Sequence, residues 1–178
     1  MALGVCAYPK LKDKDFKTIQ DFRKENDELY YSIAKPHIAF VFPIDNKEIS
    51  QEQFVKEIYH HTKNVESIEF EMKCTTVNKD AFLPYYHLLL VPDKGYHKIV
   101  KLHDKLYSNL LFPYLRLDID FIPHLGIANA KDKFEVKKWA DQWNKKEFSI
   151  NGMIHSLTIV DYSMNILTDI EQINLGKS

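Results

Sequence analysis

Glycine is scarce in this chain. Only five are present, at positions 4, 95, 126, 152 and 176, so neither GxGxxG nor GxxxxGK[ST] can be written anywhere and the Gly-rich dinucleotide and P-loop phosphate cradles are excluded. Cysteine is scarcer: Cys6 and Cys74 stand far apart and belong to no CxxC pair, a usage that fits buried thiols in a reducing compartment and argues against a disulfide framework. An excess of charge is missing too. Lys plus Arg total 24 against 25 Asp plus Glu, a formal net charge of −1, so no global field draws in nucleic acid or an acidic membrane, and an anion has to be held locally. Long apolar runs are absent. The N-terminal "ALGVCAY" meets Pro9 and Lys10 after seven residues, too short for a signal h-region with its cleavage site, and nothing later approaches the roughly 18 apolar residues of a membrane span. These absences lead to the expectation of a soluble, cytoplasmic, monomeric protein.

What is present is a chain of 178 residues, 45% of them hydrophobic, enough for one core and one domain over 1–178. Short β-like runs alternate with helical patterns, and no Gly/Ser linker divides them. Strands are predicted over 2–8, 37–42, 67–77, 84–91, 121–128, 152–161 and 168–175. Helices are predicted over 13–29, with Phe16, Ile19, Phe22 and Leu29 as the apolar stripe, and from Ser50, which forms a capping box with Gln53, to about 63. Two more fall over 95–111, ended by Pro113, and over 131–145, with Phe134, Val136, Trp139 and Trp143. "SIEFEMKC" alternates Ile68, Phe70, Met72 and Cys74 inward with charges outward, a half-exposed antiparallel strand.

Two of these strands share a pattern. "KPHIAFVFP" and "FIPHLGIAN" each run proline, histidine, aliphatic, very small residue, aliphatic. Side chains alternate along a strand, so His37, Ala39 and Val41 are expected on one face and Ile38, Phe40 and Phe42 on the other; likewise His124, Gly126 and Ala128 oppose Leu125 and Ile127. Ala39 and Gly126 leave room for a ligand beside each ring. A lone histidine in such a place reads most simply as a satisfied core residue, but two matched copies suit paired acid–base chemistry. One neutral imidazole takes a proton and one protonated imidazole gives one, both states being accessible near pH 6.5. The order histidine strand, helix, strand occurs twice, a weak internal duplication.

"PHIAFVFP" and "PHLGIAN" resemble the two H-x-[ST]-x signatures of the 2H phosphoesterase superfamily, in its 2′-5′ RNA ligase-like and cyclic-phosphodiesterase branch. The resemblance extends to "YYHLLLVPDKGYHKIVKLHDKLYS" between the motifs and to the closing "MIHSLTIVDYS" and "IEQINLG". It implies an α+β fold of two antiparallel-sheet lobes related by a pseudo-twofold axis, with His37 and His124 facing a central cleft. It also implies hydrolysis or ligation of 2′,3′-cyclic or 2′-5′ phosphodiester bonds in RNA ends, oligonucleotides or nucleotides, without metal or cofactor. The motifs depart from the family where it has Ser or Thr: Ala39 and Gly126 carry no hydroxyl. Hydrogen bonds to a charged group are worth about 1.5–3 kcal/mol each, so the loss is serious unless replaced. Candidate substitutes are Lys35 and Tyr31 before the first motif and Tyr85, Tyr86 and His87 at a strand start, each also readable as a rim residue. The alternatives are a sequestering module that kept the cleft and lost the chemistry, and a scaffold with structural histidines.

Other patterns weigh less. His60 and His61 project apart on a helix and no zinc-ligand spacing appears. His97 and His103 fall on different helix faces and are expected to be solvated. The lysines at 131, 133, 137, 138, 145 and 146 read as a solvated helix face diluted by acids, and Trp139 and Trp143 read as core anchors.

Overall fold

The computed structural model describes residues 1–176. Nine strands and four α-helices form two antiparallel sheets. The strands are β1 (Ala2–Ala7), β2 (Lys10–Leu11), β3 (Ile38–Asp45), β4 (Ile68–Lys79), β5 (Tyr86–Lys94), β6 (Leu125–Ala130), β7 (Ile150–Ile154), β8 (Ser156–Ser163) and β9 (Ile166–Asn174). The helices are α1 (Asp13–Asn26), α2 (Gln51–Thr62), α3 (Tyr96–Leu106) and α4 (Lys133–Asn144). One sheet has the order β3-β1-β8-β9 and the other β2-β7-β4-β5-β6. α3 lies on β3 of the first sheet with α2 against it, and α1 and α4 cover the second. Each histidine motif thus supplies an edge strand, β3 or β6, followed by a helix that packs the core of a lobe, which is the two-lobed α+β architecture.

Most elements form for the reasons visible in their residues. Ser50 accepts from the Gln53 amide while Gln53 Oε1 accepts from the Ser50 amide, closing the capping box of α2 and turning Phe54 and Ile58 into the core. Ile68, Phe70 and Met72 are buried along β4, with Cys74 half-buried. Trp139 and Trp143 pack edge-on against Phe22, at 6.2 and 5.4 Å between ring centroids, joining α4 to α1.

Other expectations give way. The predicted helix 95–111 ends at Leu106 because the chain turns extended at Ser108 (φ −88°, ψ 164°) and Asn109 then takes a left-handed φ of 53°; a 3₁₀ turn, Asn109–Tyr114, follows with Pro113 inside it, and Leu111 rather than Leu110 is buried. The predicted strand 152–161 is two strands, since the chain leaves the second sheet at Ile154 and enters the first at Ser156. In α1, Phe16 lies at the surface and the buried stripe contains Arg23, 1% exposed. Phe134 is likewise exposed on α4. His103 is buried rather than solvated, stacked on Phe121.

Both motif strands also carry a β-bulge at the same place. Ala39 pairs with Cys6 but Val41 pairs with Val5, so Phe40 is extra; Gly126 pairs with Leu89 but Ala128 pairs with Leu88, so Ile127 is extra. Each extra residue stands three positions after its histidine. Directly paired residues share a face, so Val41 joins Val5, and Ala128 joins Leu88, on the buried side. This corrects the simple alternation, which had placed Val41 and Ala128 with the histidines: a bulge reverses the phase of every residue beyond it. A weak duplication in sequence is here a duplication of register.

Candidate active site

The site is built from the chain just before two edge strands. Pro36 and Pro123 are buried and have no amide hydrogen to pair, so each strand starts only after the histidine. The free ring then folds back on its own backbone: His37 Nδ1 bonds to Lys35 O at 2.8 Å, and His124 Nδ1 to Ile122 O at 2.5 Å. A carbonyl oxygen only accepts, so in both rings Nδ1 carries the proton and Nε2 is left as the unprotonated nitrogen. Neither Nε2 bonds to a described residue, and among these no buried side-chain nitrogen or oxygen lacks a partner. Both atoms therefore reach open space.

Charge on His37 reaches His124. Burial lowers the pKa of His124 to about 4, against the favourable bond to Ile122, and charge on His37 or His87 lowers it further. Burial also lowers His37, partly offset by the Lys35 carbonyl and reinforced by Arg23. Two imidazoles far apart in the chain thus share one electrostatic environment, both biased toward the neutral form.

The small residues do what their size suggests. A Cβ added at Gly126 meets no atom within 4 Å, so the space beside the second ring is empty. Ala39 sits opposite Cys6, whose thiol burial pushes up to about 12; it is not a nucleophile near neutrality.

The other candidates scatter. Lys35 contributes its carbonyl oxygen to His37. Tyr31 covers the Arg23 guanidinium at 5.9 Å. Tyr85 is buried, with the Lys131 ammonium 5.4 Å over its ring. Tyr86 shares the core side of β5 with Leu88 and Leu90 and packs against the core.

His87, on the opposite side of β5, shares the face of Leu89 and Gly126. Its Nε2 bonds to Asp80 at 2.7 Å, and Tyr30 stacks on its ring at 6.0 Å. Burial opposes charge on Asp80, but the amides of Leu83 and Phe82 and the His87 ring outweigh it and hold its carboxyl below the usual range.

A second group was missed in the sequence. Arg23 is fully buried and donates to Asp27 (2.9 Å), Gln20 (2.8 Å), Tyr30 O (3.1 Å) and Ala34 O (2.9 Å). Asp27 in turn accepts from Asn129, which follows the β6 bulge and whose Oδ1 accepts from the Leu29 amide. This network fixes the 27–36 segment that delivers His37 and ties it to the strand of His124. The only sequence signal was an arginine on the stripe with Ile19 and an aspartate four residues on.

Among the described residues no helix is long and apolar enough to cross a membrane, and no three His, Cys, Asp or Glu side chains cluster as a metal site. A sequence model of the 2′-5′ RNA ligase superfamily matches residues 11–165. No curated protein gives a significant match. Solved structures do. A protein of Thermus thermophilus, TT0787, superposes with a TM-score of 0.65 over 98% of both chains at 10% identity. E. coli LigT in complex with 3′-AMP gives 0.57 over 99% of this chain and 98% of its own, again at 10%. A further phosphoesterase gives 0.57 at 11%, with the same coverage. At such identities the superpositions establish the fold, and the sequence match over most of the chain establishes the family. The chain belongs to the 2′-5′ RNA ligase superfamily.

Proposed function

We propose that the protein is a metal-independent phosphodiesterase acting on 2′,3′-cyclic or 2′-5′ phosphodiester bonds of RNA ends, oligonucleotides or nucleotides, with His37 and His124 as its acid–base pair. The observation that carries this reading is the matched anchoring of the two rings, which leaves two Nε2 atoms of the same tautomer free in one environment. Structural histidines need no such matched pair of free nitrogens. LigT has been crystallised with 3′-AMP, ATP, NADP+ and phosphate, which supports a nucleotide-sized, phosphate-bearing ligand here.

With His124, which burial holds neutral near pH 7, as the base, its Nε2 takes a proton from water as the oxygen attacks phosphorus. An anionic phosphodiester raises the pKa of a neighbouring imidazole, so His37 gains its proton on substrate binding and delivers it from Nε2 to the departing ribose oxygen. One P–O bond forms, one breaks, and the proton count closes. General acid–base catalysis of this kind contributes about 10²–10⁴-fold for each group.

Incubation with 2′,3′-cyclic nucleotides and 2′-5′ oligoadenylate at several pH values tests it. Turnover above that of a His37→Ala, His124→Ala double variant is expected, and its absence removes the reading for those substrates. A binding module that lost its chemistry is the second reading, favoured by the missing hydroxyls at Ala39 and Gly126. Calorimetry showing tight nucleotide binding without product selects it.

A further inference from the structure

We infer that a hollow beside His37, on the first sheet, is a nucleobase pocket that selects bases carrying an exocyclic amino group. This rests on the reading of His37 and His124 as the site of the phosphodiester. Ala39 pairs with Cys6, Cys6 with Thr158 and Thr158 with Gln172, so these four residues form one row across the sheet, on the side away from the core. With strands about 4.8 Å apart, Thr158 stands roughly 10 Å from Ala39. At that end of the row lies a cavity of about 270 Å³ lined by Tyr8, His155, Ser156, Thr158, Asp169 and Gln172, among others. Sites that enclose a whole drug-sized ligand occupy roughly 300–1,000 Å³; this one suits a base, with the phosphate left at the histidines.

Tyr8 links the two places. Its ring meets the edge of His37 at 6.3 Å between centroids, and its hydroxyl donates to Asp169 at 3.0 Å. A braced aromatic between the acid–base pair and the hollow offers a surface against which a base lies flat. The polar lining sets the preference. It contains no Lys or Arg, so it offers nothing to a second phosphate. The free oxygen of Asp169 accepts, and Gln172 commits one N–H of its amide to Ser156 at 2.9 Å, while its carbonyl oxygen, with no bond to a described residue, can accept as well. Adenine, cytosine and guanine present amino donors to such a pair. Uracil presents a single N–H between two carbonyl oxygens, which a carboxylate repels.

The test compares kcat/KM for the 2′,3′-cyclic phosphates of adenosine, cytidine, guanosine and uridine, in the wild type and in Asp169→Asn. The wild type should favour the amino-bearing bases, and the variant should lose about tenfold or more of that preference, the worth of a hydrogen bond to a charged group. A wild type that prefers uridine, or an unchanged ranking in Asp169→Asn with an unchanged melting temperature, overturns the assignment. Calorimetry with the four nucleoside 3′-monophosphates separates this idea from the activity. If no cyclic nucleotide turns over but the amino bases still bind more tightly, and do so through Asp169, the pocket stands and the catalytic reading falls; equal binding of all four removes the pocket.

Discussion

His37 and His124 are anchored alike, each Nδ1 on the carbonyl oxygen two residues upstream, and burial lowers the pKa of both. That of His124, about 4, lies below the 6.5 of a free imidazole. A depressed histidine keeps its full contribution to stability above about pH 6.5 and loses it as pH falls toward 4, because the unfolded chain binds the proton first. His37 is shifted in the same direction. The expected loss from His124 is about 3 kcal/mol by pH 4. Melting temperatures should therefore fall steeply from pH 6.5 to pH 4, and His124→Asn should flatten that slope while leaving the limb below pH 4, where carboxylates such as Asp161 titrate. An equal slope in both proteins contradicts the buried neutral ring.

The missing hydroxyls give a second prediction. An added side chain at Gly126 enters open space and Ala39 is only half-buried, so Ala39→Thr with Gly126→Thr should fold with little change in melting temperature. Two new donors to a phosphoryl group should raise kcat on a 2′,3′-cyclic nucleotide about tenfold or more. A fall in activity with the fold intact would mean that the substrate itself occupies the space beside the rings.

Much of the fold was legible because its signals were local. The Ser50–Gln53 capping box, the alternation of Ile68, Phe70 and Met72, and the proline before each histidine all act within a few residues. The bulges at Phe40 and Ile127 were not legible, since a bulge exists only in a register with a partner strand, and that partner, β1 or β5, lies elsewhere in the chain. The same reason hid Arg23. A buried guanidinium is tolerable only where acceptors surround it, and two of its acceptors are backbone carbonyls of Tyr30 and Ala34, invisible as residue types. The histidine pair was legible because it is repeated. The tyrosines chosen to replace the hydroxyls were not placed, as Tyr85 lies buried just before β5 and Tyr86 opens that strand on its core side.

Arg23 itself yields the third prediction. Asp27→Asn removes one charge of a buried pair and leaves the guanidinium uncompensated, a loss of about 3–5 kcal/mol. The melting temperature should drop sharply. Replacing both partners with apolar residues, Arg23→Met with Asp27→Leu, should restore part of that stability. It should not restore turnover, because the 27–36 segment that positions the Lys35 carbonyl, and through it the His37 ring, loses its anchors at Tyr30 and Ala34. Stability and kcat are read on the same preparations; recovery of both together would show that the network does not position His37.

His87 gives the last. A carboxylate only accepts, so Asp80 fixes the proton on His87 Nε2, and Nδ1 is left without a bond to any described residue while the ring faces the side of Gly126. On the proposed function His37 and His124 act on the reacting oxygens, and this ring is then expected to meet another group of the bound substrate. Such a contact is made equally in ground and transition states, and its removal raises KM while kcat holds. His87→Phe keeps an aromatic ring against Tyr30 but has no nitrogen to offer. KM for a cyclic nucleotide should rise about three- to tenfold, in line with one lost hydrogen bond accepted from a neutral hydroxyl or amino donor of the substrate, and kcat should change little. Asp80→Asn tests whether the ring's orientation matters as well as its presence, since an amide can donate to Nε2 and reverse the tautomer; it should raise KM in the same way without removing any atom of His87. A fall in kcat at constant KM in His87→Phe would instead place this third imidazole among the groups that act on the transition state.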